Sequence, residues 1–202
     1  MPSATALRLM MSARRRVRRR DLRLPALLAF TDPARTPDPL DLACALPRGA
    51  GLVYRAFGAA DARSVGLKLA AICRRRGVLF LVGADAALAR AVKADGVHLP
   101  ERTARPIRRR RPRGWIVTVA AHAPKGLLRA ARIGADAAVL SPIFPSRSPS
   151  AAQPIGPWRA GCWARWARLP VYALGGINGR TVRRLPIGAF SGVAAIDGVV
   201  RT

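Results

Sequence analysis

Lysine is nearly missing from this chain. Of 36 basic residues only Lys68, Lys93 and Lys125 are lysines, and with 10 acidic residues the formal net charge is +26. That charge has the sign of a nucleic-acid binder, but a surplus made almost wholly of arginine in an alanine-rich chain is also what a biased codon composition produces. Cysteine is scarce too. Cys44, Cys73 and Cys162 lie far apart, form no C-x-x-C pair and leave an odd number, which argues against a disulfide framework or a zinc site and for a reduced, cytoplasmic protein. Aromatic residues make up 5% of the chain, and no basic ribbon is interleaved with them as a stacking surface for single strands requires. The basic segment Arg8–Arg23 is not followed directly by an apolar run long enough for a signal peptide or a membrane span. The expectation is a basic, disordered tail over 1–23, one domain over 24–202, and no membrane association.

What the chain does have is rhythm. Its 202 residues are 50% hydrophobic, enough for one well-buried domain. Short apolar runs at 26–31, 51–54, 78–82, 95–99, 115–119, 136–141, 170–174 and 190–195 predict eight strands. Helix-like segments at 40–46, 61–76, 85–92, 101–109, 124–133, 158–168 and 179–186 lie between them, most with apolar residues at three and four spacing. The strands are continuously apolar rather than alternating, as burial on both faces of a parallel sheet demands. The pattern fits a compact (β/α)₈ TIM barrel whose last helix is short or missing, shorter than the ~250 residues usual for that fold; a doubly wound open sheet is the alternative. Trp158, Trp163 and Trp166 sit on one of the helices, where barrel core is the expected role. Arginine clusters at 14–20, 74–76 and 108–113 each precede a strand, which puts them on the face where strands begin.

In a barrel, chemistry sits where strands end. The chain has two histidines, and both fall there: His98 at the end of the fourth strand and His122 just past the fifth. At the same end lie Asp32, Arg55, Asp85, Ser146, Arg147, Ser148, Asn178 and Asp197. After the seventh strand comes Gly175-Gly176, a pair without Cβ atoms that lets backbone N–H groups approach an anion, with Asn178 able to start a helix aimed at the same point. A plain strand-to-helix turn reads equally well from that segment alone. Arginine and hydroxyl groups beside glycine amides suit a phosphate or pyrophosphate.

The segments Phe30-Thr-Asp32, Ala94-Asp-Gly-Val-His-Leu99, Gly134-Ala-Asp136, Ser141-Pro-Ile-Phe-Pro-Ser146, Ile155-Gly156 and Pro170-Val-Tyr-Ala-Leu-Gly-Gly-Ile177 resemble, in order and spacing, the thiamine phosphate synthase family and its TenI-type thiazole tautomerases. The resemblance covers residues 25–200. It implies a (β/α)₈ barrel, a transferase that uses Mg²⁺ to join hydroxymethylpyrimidine pyrophosphate to thiazole phosphate with release of pyrophosphate, and a thiazole phosphate bound at Gly175 and Gly176.

Several positions depart from that family's pattern. Where it has Gln, Arg and Lys after the second strand, this chain has Val53, Arg55 and Phe57. Its Asn-Asp pair reads Gly83-Ala84, with Asp85 one place late, and its Gly-Gln-x-Asp reads Pro100-Glu101-Arg102-Thr103. Both metal-ligating aspartates are thus missing from their places, and Asp85 or Glu101 would replace them only if loops shift. The pyrophosphate loop keeps the hydroxyls of Ser146 and Ser148 but has Arg147 in place of a later lysine. Asp197 stands where a serine is usual near the thiazole phosphate, and a carboxylate there repels a phosphate unless it faces away or is protonated.

Three readings follow: a synthase with a degenerate metal site, a metal-independent thiazole tautomerase using His122, and a non-catalytic barrel that binds a phosphorylated thiamine precursor. The candidate catalytic residues are His122 and Arg147; the candidate substrate and phosphate residues are Arg55, His98, Ser146, Ser148, Gly175 and Gly176, with no protein metal ligand assigned. The expected partners are thiazole phosphate and the pyrimidine pyrophosphate. If composition rather than a partner explains the arginines, the protein binds neither duplex nor single-stranded nucleic acid at low salt. A titration whose affinity falls steeply with added salt would overturn this.

Overall fold

The computed structural model describes residues 2–16, 23–36, 38–105, 111–146 and 153–199. Eight short strands run parallel in chain order: β1 Leu27–Phe30, β2 Gly51–Tyr54, β3 Leu79–Gly83, β4 Gly96–Leu99, β5 Ile116–Ala121, β6 Ala137–Leu140, β7 Val171–Ala173 and β8 Gly192–Ala195. Pairing of β8 with β1, in the register Leu28 to Ala194, closes them into a (β/α)₈ barrel. All eight expected strands are present, and the open-sheet alternative falls with the closure.

Two sets of apolar residues hold the layers together. Leu28, Phe30, Val53, Leu81, Ile116, Val139 and Tyr172 fill the barrel interior, while their strand neighbours face the surrounding helices, so both faces are dry. The interior is shared between large and small residues: a Cβ on Gly192 would run into the Tyr172 ring, and one on Gly51 would sit 2.6 Å from Leu28 Cδ2. The Tyr172 hydroxyl, itself buried, donates to Pro25 O at 2.6 Å.

Around the barrel lie α1 Ala4–Arg16, α2 Pro39–Ala45, α3 Ala62–Arg76, α4 Ala86–Ala91, α5 Pro124–Arg132 and α6 Pro157–Trp166, with 3₁₀ turns at Thr181–Arg184 and Asp197–Val199. Local chemistry sets their ends. Asp38 caps α2 by accepting from the Leu40 amide, proline opens α2, α5 and α6, and Gly77 ends α3 in the left-handed region at φ 63°. Of the helix expected over 101–109, the segment Glu101–Thr103 is a turn and residues 106–109 lie outside the described residues. The helix expected over 179–186 shrinks to the 3₁₀ turn.

The N-terminal segment corrects the sequence expectation. Residues 4–16 are not a ragged tail but α1, which packs on β1, β8 and both 3₁₀ turns. Ala6, Leu9, Met10 and Ala13 are buried at helical spacing, Ser3 Oγ caps the start, and at the far end Arg16 donates to Leu185 O at 3.0 Å. It covers the β8–β1 seam, beyond which the described chain has only a 3₁₀ turn. The tryptophans are corrected as well: Trp158 is 73% and Trp166 87% exposed, and Trp163 is half-buried. The reason is that α6 turns its small residues Ala160, Gly161 and Ala164 inward, so close that a Cβ on Gly161 would lie 2.8 Å from Pro186 Cγ.

Two of the arginines on the strand-start face have structural partners. Arg76 donates to Leu46 O, and Arg111 pairs with Asp136 at 2.6 Å; Arg108–Arg110 lie outside the described residues. All three cysteines are free thiols, and among the described residues no helix is long and apolar enough to cross a membrane. Because Leu9 is 1% exposed, Leu9→Ala should cost about 2–5 kcal/mol of unfolding free energy in a denaturant titration. A disordered tail would leave the midpoint unmoved.

Candidate active site

The C-terminal ends of the strands open into one cavity of about 640 Å³. At its β7 side the chain turns at Gly175 (φ 97°) and Gly176 (φ 63°), a backbone that a residue with a Cβ rarely adopts. The missing side chains also leave room for a neighbour: a Cβ on Gly175 would lie 2.7 Å from Pro142 Cα, and one on Gly176 would strike Pro145 O. The turn thus leans on the β6 loop. Phe144 N donates to Gly175 O, and Thr181 Oγ1 braces the other side by donating to Gly176 O at 2.7 Å. Among the described residues neither glycine amide meets a protein acceptor. Asn178 caps only the short 3₁₀ turn, accepting from Arg180 N and Thr181 N.

Across the cavity, β1 and β2 end in an ion cluster. Arg55 donates through Nε to Thr31 O at 2.7 Å and through Nη2 to Asp32 Oδ2 at 2.8 Å, and its guanidinium lies over the rings of Phe30 and Phe57 at 5.9 and 5.2 Å. Burial lowers the Arg55 pKa, and Asp32 opposes this. Hydrogen bonding to Arg35 holds the Asp32 carboxyl below the usual range against the opposing pull of burial. Two of the departures noted above are coupled here. Phe57 supplies a ring for Arg55 to lie against, and a Cβ on Gly83 would lie 2.9 Å from Arg55 Cγ, so the glycine makes room for the arginine stem.

His98 forms part of the floor. It is buried, its Nδ1 lies 2.9 Å from Thr118 Oγ1 on the neighbouring strand, and its ring meets Phe30 edge to face at 5.0 Å. Burial first, then the positive Arg55, push its pKa down to about 3, so the ring is neutral near pH 7. His122 differs. Its side chain is 56% exposed on the rim, and Nδ1 lies 2.7 Å from Glu101 Oε2, which also accepts the His122 backbone N–H. A Cβ on Gly126, in the first turn of α5, would sit 2.6 Å from Glu101 Oε1, so a glycine there is what lets the carboxylate approach.

Of the candidate residues, Arg55, His98, His122, Ser146, Gly175 and Gly176 all line this cavity. Arg147 and Ser148 lie outside the described residues. Asp85 caps α4 by accepting from Leu88 N at 2.8 Å, which engages it in the helix start. Arg35, Thr118, Thr181 and Arg184 belong to the site's framework and were not foreseen. Arg35 carries no motif, and a lone arginine in this chain is one of many; Arg184 stacks on Phe144 at 5.4 Å.

A family model described as thiamine monophosphate synthase matches residues 42–199. The chain belongs to the thiamine phosphate synthase family. Thiamine-phosphate synthases of Chlorobium luteolum and Chlorobium limicola are each 31% identical to it, over 88% of this chain and over 86% and 87% of theirs. Among solved structures, a thiamine phosphate pyrophosphorylase from Pyrococcus furiosus superposes with a TM-score of 0.72 at 24% identity, covering 87% of this chain and 88% of that one, which is agreement in fold. Membership in the family sets the protein in thiamine biosynthesis and among enzymes of the transferase type.

The buried His98 carries a sign that can be checked. Its folded pKa lies below its unfolded one, so the unfolded chain binds the extra proton and stability falls as pH drops from about 6.5 toward about 3. The contribution should reach about 1.4 kcal/mol per pH unit and vanish in His98→Gln. Equal slopes of unfolding free energy against pH in the two proteins would contradict a buried neutral ring.

Proposed function

We propose that the protein is an enzyme of thiamine biosynthesis that binds a phosphorylated thiazole in the barrel mouth and moves a proton on its ring through His122. The carrying observation is the His122–Glu101 pair on the cavity rim. A carboxylate at Nδ1 fixes the ring and the tautomer, leaving Nε2 as the acceptor for a substrate proton. The Gly175 and Gly176 amides take the substrate phosphate, and neutral His98 on the floor offers a hydrogen bond without a charge. Tautomerisation moves one proton off the ring and another onto it, and heavy-atom bonds keep their partners.

The family implies Mg²⁺, and the donor set does not suit it. Mg²⁺ takes carboxylate oxygens together with substrate phosphate oxygens. Here Asp85 is engaged by an amide, Glu101 by His122, Asp32 by two guanidinium groups and Asp197 by Arg35. Among the described residues no three metal-ligating side chains come together.

The synthase reaction is the second reading, favoured by the names and coverage of the relatives. In it Arg55, Ser146, Arg147 and Ser148 would hold the pyrophosphate of the pyrimidine substrate. The free thiols and the family's chemistry support a cytoplasmic setting. Two assays on the purified protein separate the readings. Thiazole tautomerisation should proceed in EDTA, fall at least about a hundredfold in His122→Ala, and fall less in Glu101→Gln. Unchanged turnover in His122→Ala overturns the mechanism. Thiamine phosphate formed from both synthase substrates with Mg²⁺ would establish the second reading instead, and tight binding of thiazole phosphate with neither turnover would make the barrel a binding protein.

A further inference from the structure

We propose that Arg35 is a phosphate-binding residue of this mouth and that Asp197 is its positioning partner rather than a repulsive charge. The inference rests on the reading of the Gly175–Gly176 turn as the phosphate cradle and adds a residue that no sequence motif marks.

Arg35 lies in the loop after β1, but its guanidinium reaches across the end of β8. Nη1 meets Asp197 Oδ2 at 3.4 Å and Nη2 meets Asp32 Oδ2 at 3.1 Å. In barrels of this kind the phosphate corner lies beyond strands seven and eight, and Arg35, Asp197, Gly175 and Gly176 line the same cavity. A guanidinium has five N–H donors, and the two carboxylate bonds use one on each Nη. Among the described residues no protein acceptor meets the other three. The side chain is 17% exposed and tied at two points, so little rotamer freedom remains to be lost when an anion arrives.

Charge makes the same case. A carboxylate next to a phosphate site costs affinity when it stands alone. Asp197 does not, because Arg35 neutralises it, and the pair leaves the corner with guanidinium donors held over it. Arg184 on the Phe144 ring adds a further positive charge to the cavity. The replacement of the family's usual serine by Asp197 is then linked to Arg35: one residue supplies the donor and the other aims it.

The test measures binding of inorganic phosphate and of thiazole phosphate to wild type, Arg35→Ala, Arg35→Gln and Asp197→Asn, with thermal melts as a check on folding. Both Arg35 variants should lose about tenfold or more in affinity for each anion and bind the unphosphorylated thiazole alcohol as wild type does. Asp197→Asn removes a negative charge, so simple repulsion would tighten phosphate binding; a positioning role weakens it. Tighter binding in Asp197→Asn, unchanged affinity in a folded Arg35 variant, or no binding of either anion by wild type overturns the proposal. Inorganic phosphate keeps this outcome distinct from the choice of thiazole: wild type that binds phosphate through Arg35 but ignores the thiazole refutes the substrate and leaves the anion site standing.

Discussion

Closing eight short strands into a ring is the constraint from which the rest of this structure follows. A barrel interior has a fixed width, and side chains from every strand must fill it without a gap or a clash. Tyr172 extends toward β8, where Gly192 leaves space, and Leu28 extends toward β2, where Gly51 does the same. Phe30 and His98 then meet edge to face at the upper end and form the floor of the mouth. The same packing that closes the ring therefore decides how deep the cavity is and which polar atoms line its base.

Above that floor the electrostatics contrast with the chain as a whole. The protein carries a net charge of +26, yet the mouth is nearly balanced: Asp32 and Asp197 against Arg35 and Arg55, Glu101 beside His122. Each of these six groups has a partner within 3.4 Å, which fixes its direction before any ligand arrives. Such preorganisation matters more than the amount of charge, since a fixed dipole or guanidinium needs no reorganisation on binding. It also explains why the departures from the family pattern come in linked sets. Gly83 accommodates Arg55, Phe57 stacks on it, and Gly126 accommodates Glu101.

Much of this was legible beforehand. The eight strands could be read because continuous apolar runs are what two dry faces require, and the position of both histidines at strand ends followed from counting. Helix α1 was legible too, in the spacing of Ala6, Leu9, Met10 and Ala13, but its arginines drew the reading toward a tail. The tryptophans misled for the opposite reason: bulk suggested burial, while α6 in fact approaches the barrel through its smallest residues. The turn at Glu101–Thr103 resembled a helix start because charge and polarity do not distinguish the two.

By itself the sequence determined the class of fold, the order of the strands, and the glycine turn after β7, because these depend on local hydrophobic spacing and on backbone freedom that only glycine provides. It also determined which family residues were missing. Tertiary structure alone decided what stands in their place. Glu101 and His122 are 21 residues apart, Arg35 and Asp197 are 162 apart, and no local pattern connects them. They meet because barrel closure brings the ends of distant strands to one rim, where an ion pair of any sequence separation becomes a contact between neighbours.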